Sequence, residues 1–180
     1  MGFRLEVSRA DDTAAGRTLK IPEMGLELKV RVDGATTGGV LEMLDTTHAP
    51  GFGPPPHRHR QTEIFRIVQG KYRFEVDGKE IIASAGDVVT VPGGAAHTFR
   101  NVGPGIARQI VTVLPSLHSR LFFAALATMQ RQHNVSRRDL MAFGRAWGVE
   151  FLVSTDPAEP LYAGPGDGES ANAEASAHAA

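Results

Sequence analysis

The chain contains short runs in which apolar and polar residues alternate, the pattern typical of strands with one buried face. Residues 26–32 show it most clearly, because every second position is Leu or Val. Further runs rich in strand-forming residues are predicted as strands at residues 40–45, 64–68, 72–76, 80–82, 87–91, 97–102 and 107–114. Turn signals such as Asp33-Gly34 and Asp77-Gly78 separate these runs. Short strands at this spacing predict an all-β barrel or sandwich.

The pattern changes to a helical one after the last predicted strand. Residues 117–133 place apolar side chains on one broad helical face. Ser136 and Asp139 form the spacing of a capping box, which predicts a second helix that runs through Trp147 and stops at Gly148. The expected organisation is an N-terminal segment with a short strand (1–24), a β-barrel (25–115), C-terminal helices (116–150) and a disordered tail (164–180).

Two histidines and a glutamate lie within seven residues at His57, His59 and Glu63. Alternate residues of a strand point to the same face, so both imidazoles can reach one point. Glu63 lies four residues beyond His59, about 13 Å along a straight strand at ~3.3 Å per residue. The chain must therefore turn at residues 60–62 if all three side chains bind one ion. His97, in a later strand, adds a third imidazole, and such a mixed nitrogen and oxygen set suits a transition metal.

The residues around these ligands follow two spaced patterns. In the first pattern, Gly51 is followed after five residues by His57-x-His59, after three more by Glu63 and after six more by Gly70. In the second pattern, Gly86 is followed after five residues by Pro92-x-Gly94, after two more by His97 and after three more by Asn101. Both resemble the two motifs of the cupin superfamily. The resemblance implies a cupin jelly-roll β-barrel with a short C-terminal helical extension, and a metal site formed by His57, His59, Glu63 and His97.

The resemblance also implies a reaction class. The chain is similar to small single-domain cupins of the quercetin 2,3-dioxygenase-like set. The four ligands themselves suit one divalent transition metal ion: Fe, Mn, Ni, Co or Cu with an open position, or Zn in a closed tetrahedral site. The leading hypothesis is a metal-dependent dioxygenase acting on a small aromatic or enol-type substrate inside the barrel. Glu63 would be its catalytic residue, as a proton shuttle, if its pKa were raised.

Two alternatives remain open. One is a metal-dependent isomerase or epimerase of a sugar or keto acid, which requires a polar pocket with arginines and Gln109 inside. The other is a non-catalytic small-molecule-binding cupin, which would bind its ligand without turnover. An apolar cavity would argue against the isomerase.

Several neighbouring residues are predicted to have structural roles. Gly51, Gly70, Gly86 and Gly94 are expected where the backbone bends or needs a positive φ angle. Asn101 is expected to anchor a loop rather than bind metal. His48 is expected at the surface, with a place at the barrel mouth as the alternative. Alternation places Arg58 on the outer face of its strand, opposite the two histidines.

Composition excludes some classes of function. The chain has 180 residues, a net charge of −1 and no cysteine, so neither a disulfide nor a thiolate ligand is available. The balanced charge indicates neither a nucleic-acid nor a membrane partner. There is no signal-peptide pattern and no apolar run of the ~20 residues that a membrane span needs. A cytoplasmic protein is expected, and the family resemblance implies a homodimer.

Overall fold

A computed structural model of the protein describes residues 7–9, 18–131 and 135–152. The described part forms eleven strands, two α-helices and one short 3-10 turn at Pro22–Met24. The strands are β1 Thr18–Ile21, β2 Leu26–Val32, β3 Glu42–His48, β4 His57–His59, β5 Thr62–Gln69, β6 Lys71–Val76, β7 Lys79–Ser84, β8 Val88–Val91, β9 His97–Asn101, β10 Ala107–Leu114 and β11 Val149–Phe151. The helices are α1 Ser119–Gln130 and α2 Arg137–Ala146.

The strands form two antiparallel sheets, which confirms the predicted all-β class. One sheet has the order β1-β2-β3-β10-β5-β8, and the other has the order β11-β4-β9-β6-β7. Aromatic side chains fill the interior: Phe65, Phe74 and Phe99 lie with ring centroids 5.1–5.5 Å apart. They are all buried, because alternate residues of β5, β6 and β9 point inward.

The predicted strand bounds differ from the observed ones in specific places. β2 and β10 have the predicted bounds, whereas β3 is shifted towards the C-terminus relative to the predicted 40–45. Val40 and Leu41 belong instead to the preceding turn, where Leu41 N donates to Thr37 Oγ1. β1 and β11 were not predicted, since each has only three or four residues. The short strand predicted in the N-terminal segment is the apolar-polar run at residues 3–7; only residue 7 of it is described, and it lies in no strand.

Both C-terminal helices are present. α2 begins with the predicted capping box: Asp139 N donates to Ser136 Oγ at 3.2 Å, and Ser136 N donates to Asp139 Oδ2 at 3.0 Å. Gly148, with φ of 74°, follows its end. α1 starts at Ser119 rather than at residue 117, because His118 has a left-handed conformation with φ of 59°. His133, His178 and the predicted disordered tail 164–180 lie outside the described residues.

A buried carboxylate fixes the start of α1 to the barrel. Glu42, at the start of β3, is 2% exposed. It accepts hydrogen bonds from Leu117 N at 3.0 Å, Ser119 N at 3.0 Å, Ser119 Oγ at 2.5 Å and Ser116 Oγ at 3.1 Å. Free N–H groups and a partial positive charge occur at every helix N-terminus, so a carboxylate is favourable there. Here the carboxylate comes from a distant strand and joins the helix to the sheet.

The chain after α2 returns to the barrel as β11 and pairs with β4. The register aligns Val149 with His59 and Phe151 with His57. Leu152 N also donates to Pro56 O at 2.7 Å. The C-terminal extension therefore covers one side of the strand that contains two of the predicted ligands. No helix in the described ranges is both long enough and apolar enough to cross a membrane.

Candidate metal centre

Three strands position the four predicted ligands. β4 contains His57 and His59, β5 contains Glu63 and β9 contains His97. The chain turns between β4, which ends at His59, and β5, which begins at Thr62, so Glu63 returns towards the histidines as the spacing required. β4 and β9 pair with His57 opposite His97.

The four side chains converge on one point. One ligand atom from each residue lies within 4.8 Å of the ligand atoms of the other three. Glu63 Oε2 lies 3.0 Å from His97 Nε2 and 3.4 Å from His59 Nε2. The side chains of His59 and His97 are nearly inaccessible to solvent, and that of Glu63 is 14% exposed. The cluster can therefore hold a metal ion.

The hydrogen bonds of the imidazoles fit metal binding. His57 Nδ1 lies 2.9 Å from Pro55 O, and His97 Nδ1 lies 3.0 Å from Ala95 O. A carbonyl oxygen can only accept, so Nδ1 carries the hydrogen in both rings, and in the neutral ring the lone pair is on Nε2. Second-sphere partners of this kind commonly fix the tautomer of metal-binding histidines. His59 Nδ1 is buried and has no hydrogen-bond partner within the described residues.

The charges within the cluster shift the pKa values of its members. Burial, followed by the neighbouring His97, lowers the pKa of His57 to about 3. Burial alone would raise the pKa of Glu63, but hydrogen bonds from His59 and His97 outweigh it and lower the pKa below its usual value. Burial, the largest single cause, lowers the pKa of His97, but the hydrogen bond to Glu63, the charge of that carboxylate and smaller contributions from Ala95 and Asp77 together raise it. Without metal, the carboxylate of Glu63 thus favours the protonated form of His97, which would partly balance its charge.

A known domain family matches this part of the chain. The family model described as a cupin domain (Cupin_2) matches residues 45–113, which include all four predicted ligands. Residues 45–113 therefore form a cupin domain. Over 72 residues the cupin is 29% identical to quercetin 2,3-dioxygenase from Bacillus subtilis (strain 168). That stretch is 39% of this chain and 21% of the relative, so the cupin spans about a fifth of the enzyme's length.

Solved structures share the fold. A Thermotoga maritima protein described as a predicted oxalate decarboxylase aligns with a TM-score of 0.54 and 21% identity, over 62% of the cupin and 100% of that chain. The polyketide cyclase RemF from Streptomyces resistomycificus aligns with a TM-score of 0.52 and 17% identity, over 63% and 80% of the two chains. Identities this low show the fold alone, and they confirm the jelly-roll barrel; the C-terminal helical extension is present as α1 and α2.

The motif residues other than the ligands have the predicted structural roles. Gly51, Gly70, Gly86 and Gly94 all have positive φ angles, between 80° and 100°. Asn101 anchors a loop: its Nδ2 donates to His48 O at 2.9 Å and to Gly105 O at 2.8 Å.

Arg58 points out of the cupin barrel, as the alternation of the strand predicts. Its Nε donates to Glu150 Oε2 at 2.8 Å, which is a solvent-exposed link between β4 and β11. Exposed ion pairs of this kind contribute little stability, about 0–1 kcal/mol.

The prediction that His48 lies at the surface is wrong. The residue is 4% exposed and its Nδ1 lies 3.0 Å from the Tyr72 hydroxyl. Its ring also packs edge-on against Phe99. β3 extends to residue 48, beyond the predicted end of the strand, and that extension carries the imidazole into the barrel. Burial lowers the pKa of His48 to about 3.

Acid is expected to destabilise the metal-free cupin through His48. Between its pKa of about 3 in the folded chain and its ordinary value of 6.5, only the unfolded chain binds a proton at this residue. The free energy of unfolding therefore falls as the pH is lowered from 6.5 towards 3, at up to ~1.4 kcal/mol per pH unit. Urea unfolding is measured with a chelator present at pH 7 and at pH 4.5. Between these two pH values, the free energy of unfolding should fall less for His48→Asn than for the wild type. Equal losses in the two proteins would contradict this assignment, and exposed His118→Asn serves as the control.

A largely apolar cavity adjoins the metal centre. About 90 Å³ of its interior is open to the centre of a water molecule, and His57, His59 and Glu63 form part of its wall. No Lys or Arg is among the described residues that line it. Gln109 is fully buried, but it does not line this cavity. Neither its amide nitrogen nor its amide oxygen has a hydrogen-bond partner among the described residues.

Sequence reasoning missed the residues that the C-terminal extension contributes to this cavity. Phe122 and Phe123 of α1 and Phe151 of β11 all line it. The apolar face of α1 was predicted from the sequence. The sequence could not predict that this face lines the cavity beside the candidate ligands. The pairing of β11 with β4 joins residues about 90 positions apart, which no local pattern reveals.

Proposed function

We propose that this cupin is a metal-dependent, dioxygenase-like enzyme that acts on a small organic substrate in the barrel. The observation that supports it is that three of the four clustered residues, His57, His59 and Glu63, line the apolar cavity. The similarity to quercetin 2,3-dioxygenase over 72 residues adds support, although it covers only 21% of that enzyme. His57, His59, Glu63 and His97 would hold one divalent transition metal ion.

The bound metal would supply oxygen activation, with a free coordination position for a chelating substrate. The protein's own contribution is to orient the substrate and exclude water, because the walls around the site are apolar. Glu63 Oε2, on the cavity wall, is the nearest carboxylate that could accept a proton from the substrate. The pKa of Glu63 is lowered, whereas a proton shuttle requires a raised pKa, so Glu63 is a weaker base than that role requires. Its catalytic role therefore stays a prediction.

The cavity argues against an isomerase or epimerase of a sugar or keto acid. Such substrates need several hydrogen-bonding or cationic side chains, since burying unpaired hydroxyl or carboxylate groups is costly. The described lining contains no arginine and does not include Gln109. A non-catalytic binding protein remains the second candidate, because the same cavity and metal centre could hold a ligand without turnover. The homodimer and the cytoplasmic location expected from the sequence also stay predictions.

Oxygen uptake tests the proposal. The metal-free protein is loaded anaerobically with Fe, Mn, Ni, Co, Cu or Zn and mixed with flavonols or β-diketones in air-saturated buffer. We expect oxygen consumption matched by substrate loss for at least one redox-active metal, and none with Zn. Substrate binding without oxygen uptake for every metal would identify a binding protein instead. Absence of both binding and uptake would overturn the proposal.

A further inference from the structure

The cavity at the metal centre extends beyond the domain that defines the family. Eleven of its twenty lining residues lie outside residues 45–113. They come from β2, the start of β3, α1, β11 and the segments beside them. The shape and chemistry of this region therefore depend on segments that the family match does not cover.

The part of the lining that β2, β3 and the C-terminal extension contribute is largely apolar. The strands contribute Leu26, Leu28 and Leu44, and the C-terminal extension contributes Phe122, Phe123, Leu126 and Phe151. Apart from the candidate ligands, the described polar side chains in the lining are Thr46, His48 and Ser119.

Each of those three polar side chains already has a partner within the protein. Ser119 Oγ donates to Glu42 at 2.5 Å, and His48 Nδ1 lies 3.0 Å from the Tyr72 hydroxyl. Thr46 Oγ1 donates a long hydrogen bond of 3.4 Å to Gln109 O. A ligand group against this part of the lining would therefore gain little from polarity and most from the removal of apolar surface from water.

We propose that the α1 end of the cavity binds the uncharged apolar tail of an amphipathic substrate whose oxygen-bearing head lies against the metal ligands. This inference rests on the proposed function, because it takes the head group to be held at the metal centre. It names the substrate class: an oxygen chelator that bears an alkyl or aryl chain. Phe123 of α1 is a specificity-determining residue, because its half-buried ring forms part of the wall around that chain.

The wall formed by α1 is fixed from both sides. Glu42 holds its N-terminus, as described above. Phe122 packs against Phe143 and Trp147 of the α2 segment, with ring centroids 5.3 Å and 5.9 Å away. A wall held in this way favours tails of a defined length. Trp147 is the single tryptophan of the chain, so its fluorescence reports on this end of the cavity.

Straight-chain hydroxamic acids test the inference, since their head group chelates transition metals and their tail length can be varied from acetyl to decanoyl. Dissociation constants are measured by calorimetry on the metal-loaded, full-length protein. We expect the dissociation constant to fall about three- to fourfold per added methylene until the tail fills the cavity. The longer probes should also change Trp147 fluorescence, whereas acetohydroxamate should not.

Phe123→Asp places a carboxylate in the wall of the α1 end of the cavity, where the apolar tail would bind. We expect this variant to bind the octanoyl probe at least tenfold more weakly than the wild type does. Unchanged binding of acetohydroxamate would show that the fold and the metal centre are intact. Leu121→Asp is the matched control, because Leu121 lies on the same helix, is 49% exposed and is not part of the described lining. Equal weakening by both variants would overturn the inference.

The short probe separates failure of this inference from failure of the proposed function. If acetohydroxamate binds and chain length has no effect, the tail site is wrong and the metal-centre proposal stands. If no hydroxamate binds to the metal-loaded protein, the metal centre offers no position for a chelating head group. That result would overturn both proposals.

Discussion

Replacing His59 by alanine is expected to reduce the metal content from about one ion per chain to background. His59 is buried, and its Nε2 lies 3.4 Å from Glu63 Oε2 in the centre of the cluster. Removal of one imidazole from four ligands leaves an incomplete set, and loss of even an outer-sphere partner typically costs 10–100-fold in metal affinity. The expected loss of affinity is therefore at least ~100-fold. Elemental analysis of purified protein, followed by competition with a chelator of known affinity, measures it.

The control for this experiment is His118→Asn. His118 is exposed and has the left-handed backbone conformation that asparagine tolerates. It should keep the metal content of the wild type. Stoichiometric metal in His59→Ala would show that the four side chains do not form the binding site. A circular dichroism spectrum and an unfolding curve for each variant exclude loss of metal through unfolding.

Glu42→Ala is expected to lower the free energy of unfolding by about 3–5 kcal/mol, because removal of one partner leaves buried donors without an acceptor. Four hydrogen bonds end on this carboxylate, two of them from backbone N–H groups at the start of α1. The midpoint of thermal unfolding should fall by roughly 10 °C. The change should also loosen α1 and alter the fluorescence of Trp147, since Trp147 packs against Phe122.

Glu27→Ala is the matched control for Glu42→Ala. Glu27 is a half-exposed glutamate of β2, and its carboxylate pairs with Lys20 at 3.0 Å. A surface ion pair of this kind contributes about 0–1 kcal/mol, so the control should unfold within a few degrees of the wild type. Similar unfolding curves for Glu42→Ala and the wild type would show that Glu42 does not anchor the helix.

Local patterns were sufficient to predict most of the strands and the grouping of His57, His59 and Glu63, whereas the set of four ligands with His97 came from the resemblance to the two cupin motifs. His57 and His59 share a face because side chains alternate along a strand, and the distance to Glu63 required a turn. The capping box at Ser136 is equally local, since its two hydrogen bonds join residues three positions apart. Features of this kind depend on neighbours in the chain, which the sequence shows directly.

The remaining features depend on partners that are distant in the sequence. β11 has three residues and pairs with β4, and β1 has four residues and pairs with β2. Runs this short have no usable periodicity, so their pairing is determined by the tertiary structure. The burial of His48 follows in the same way from the extension of β3 along Ala107–Leu114. The carboxylate of Glu42 at the start of α1 joins residues 77 positions apart.

The position of β4 between β9 and β11 has a thermodynamic consequence. An ion bound by His57 and His59 restrains β4, and β11 hydrogen-bonds to the same residues of that strand. Linkage requires the effect to be mutual: if the ion strengthens the docking of β11, docked β11 strengthens retention of the ion by the same factor. The resistance of β11 to proteolysis and the metal content of the protein would then report on the same equilibrium.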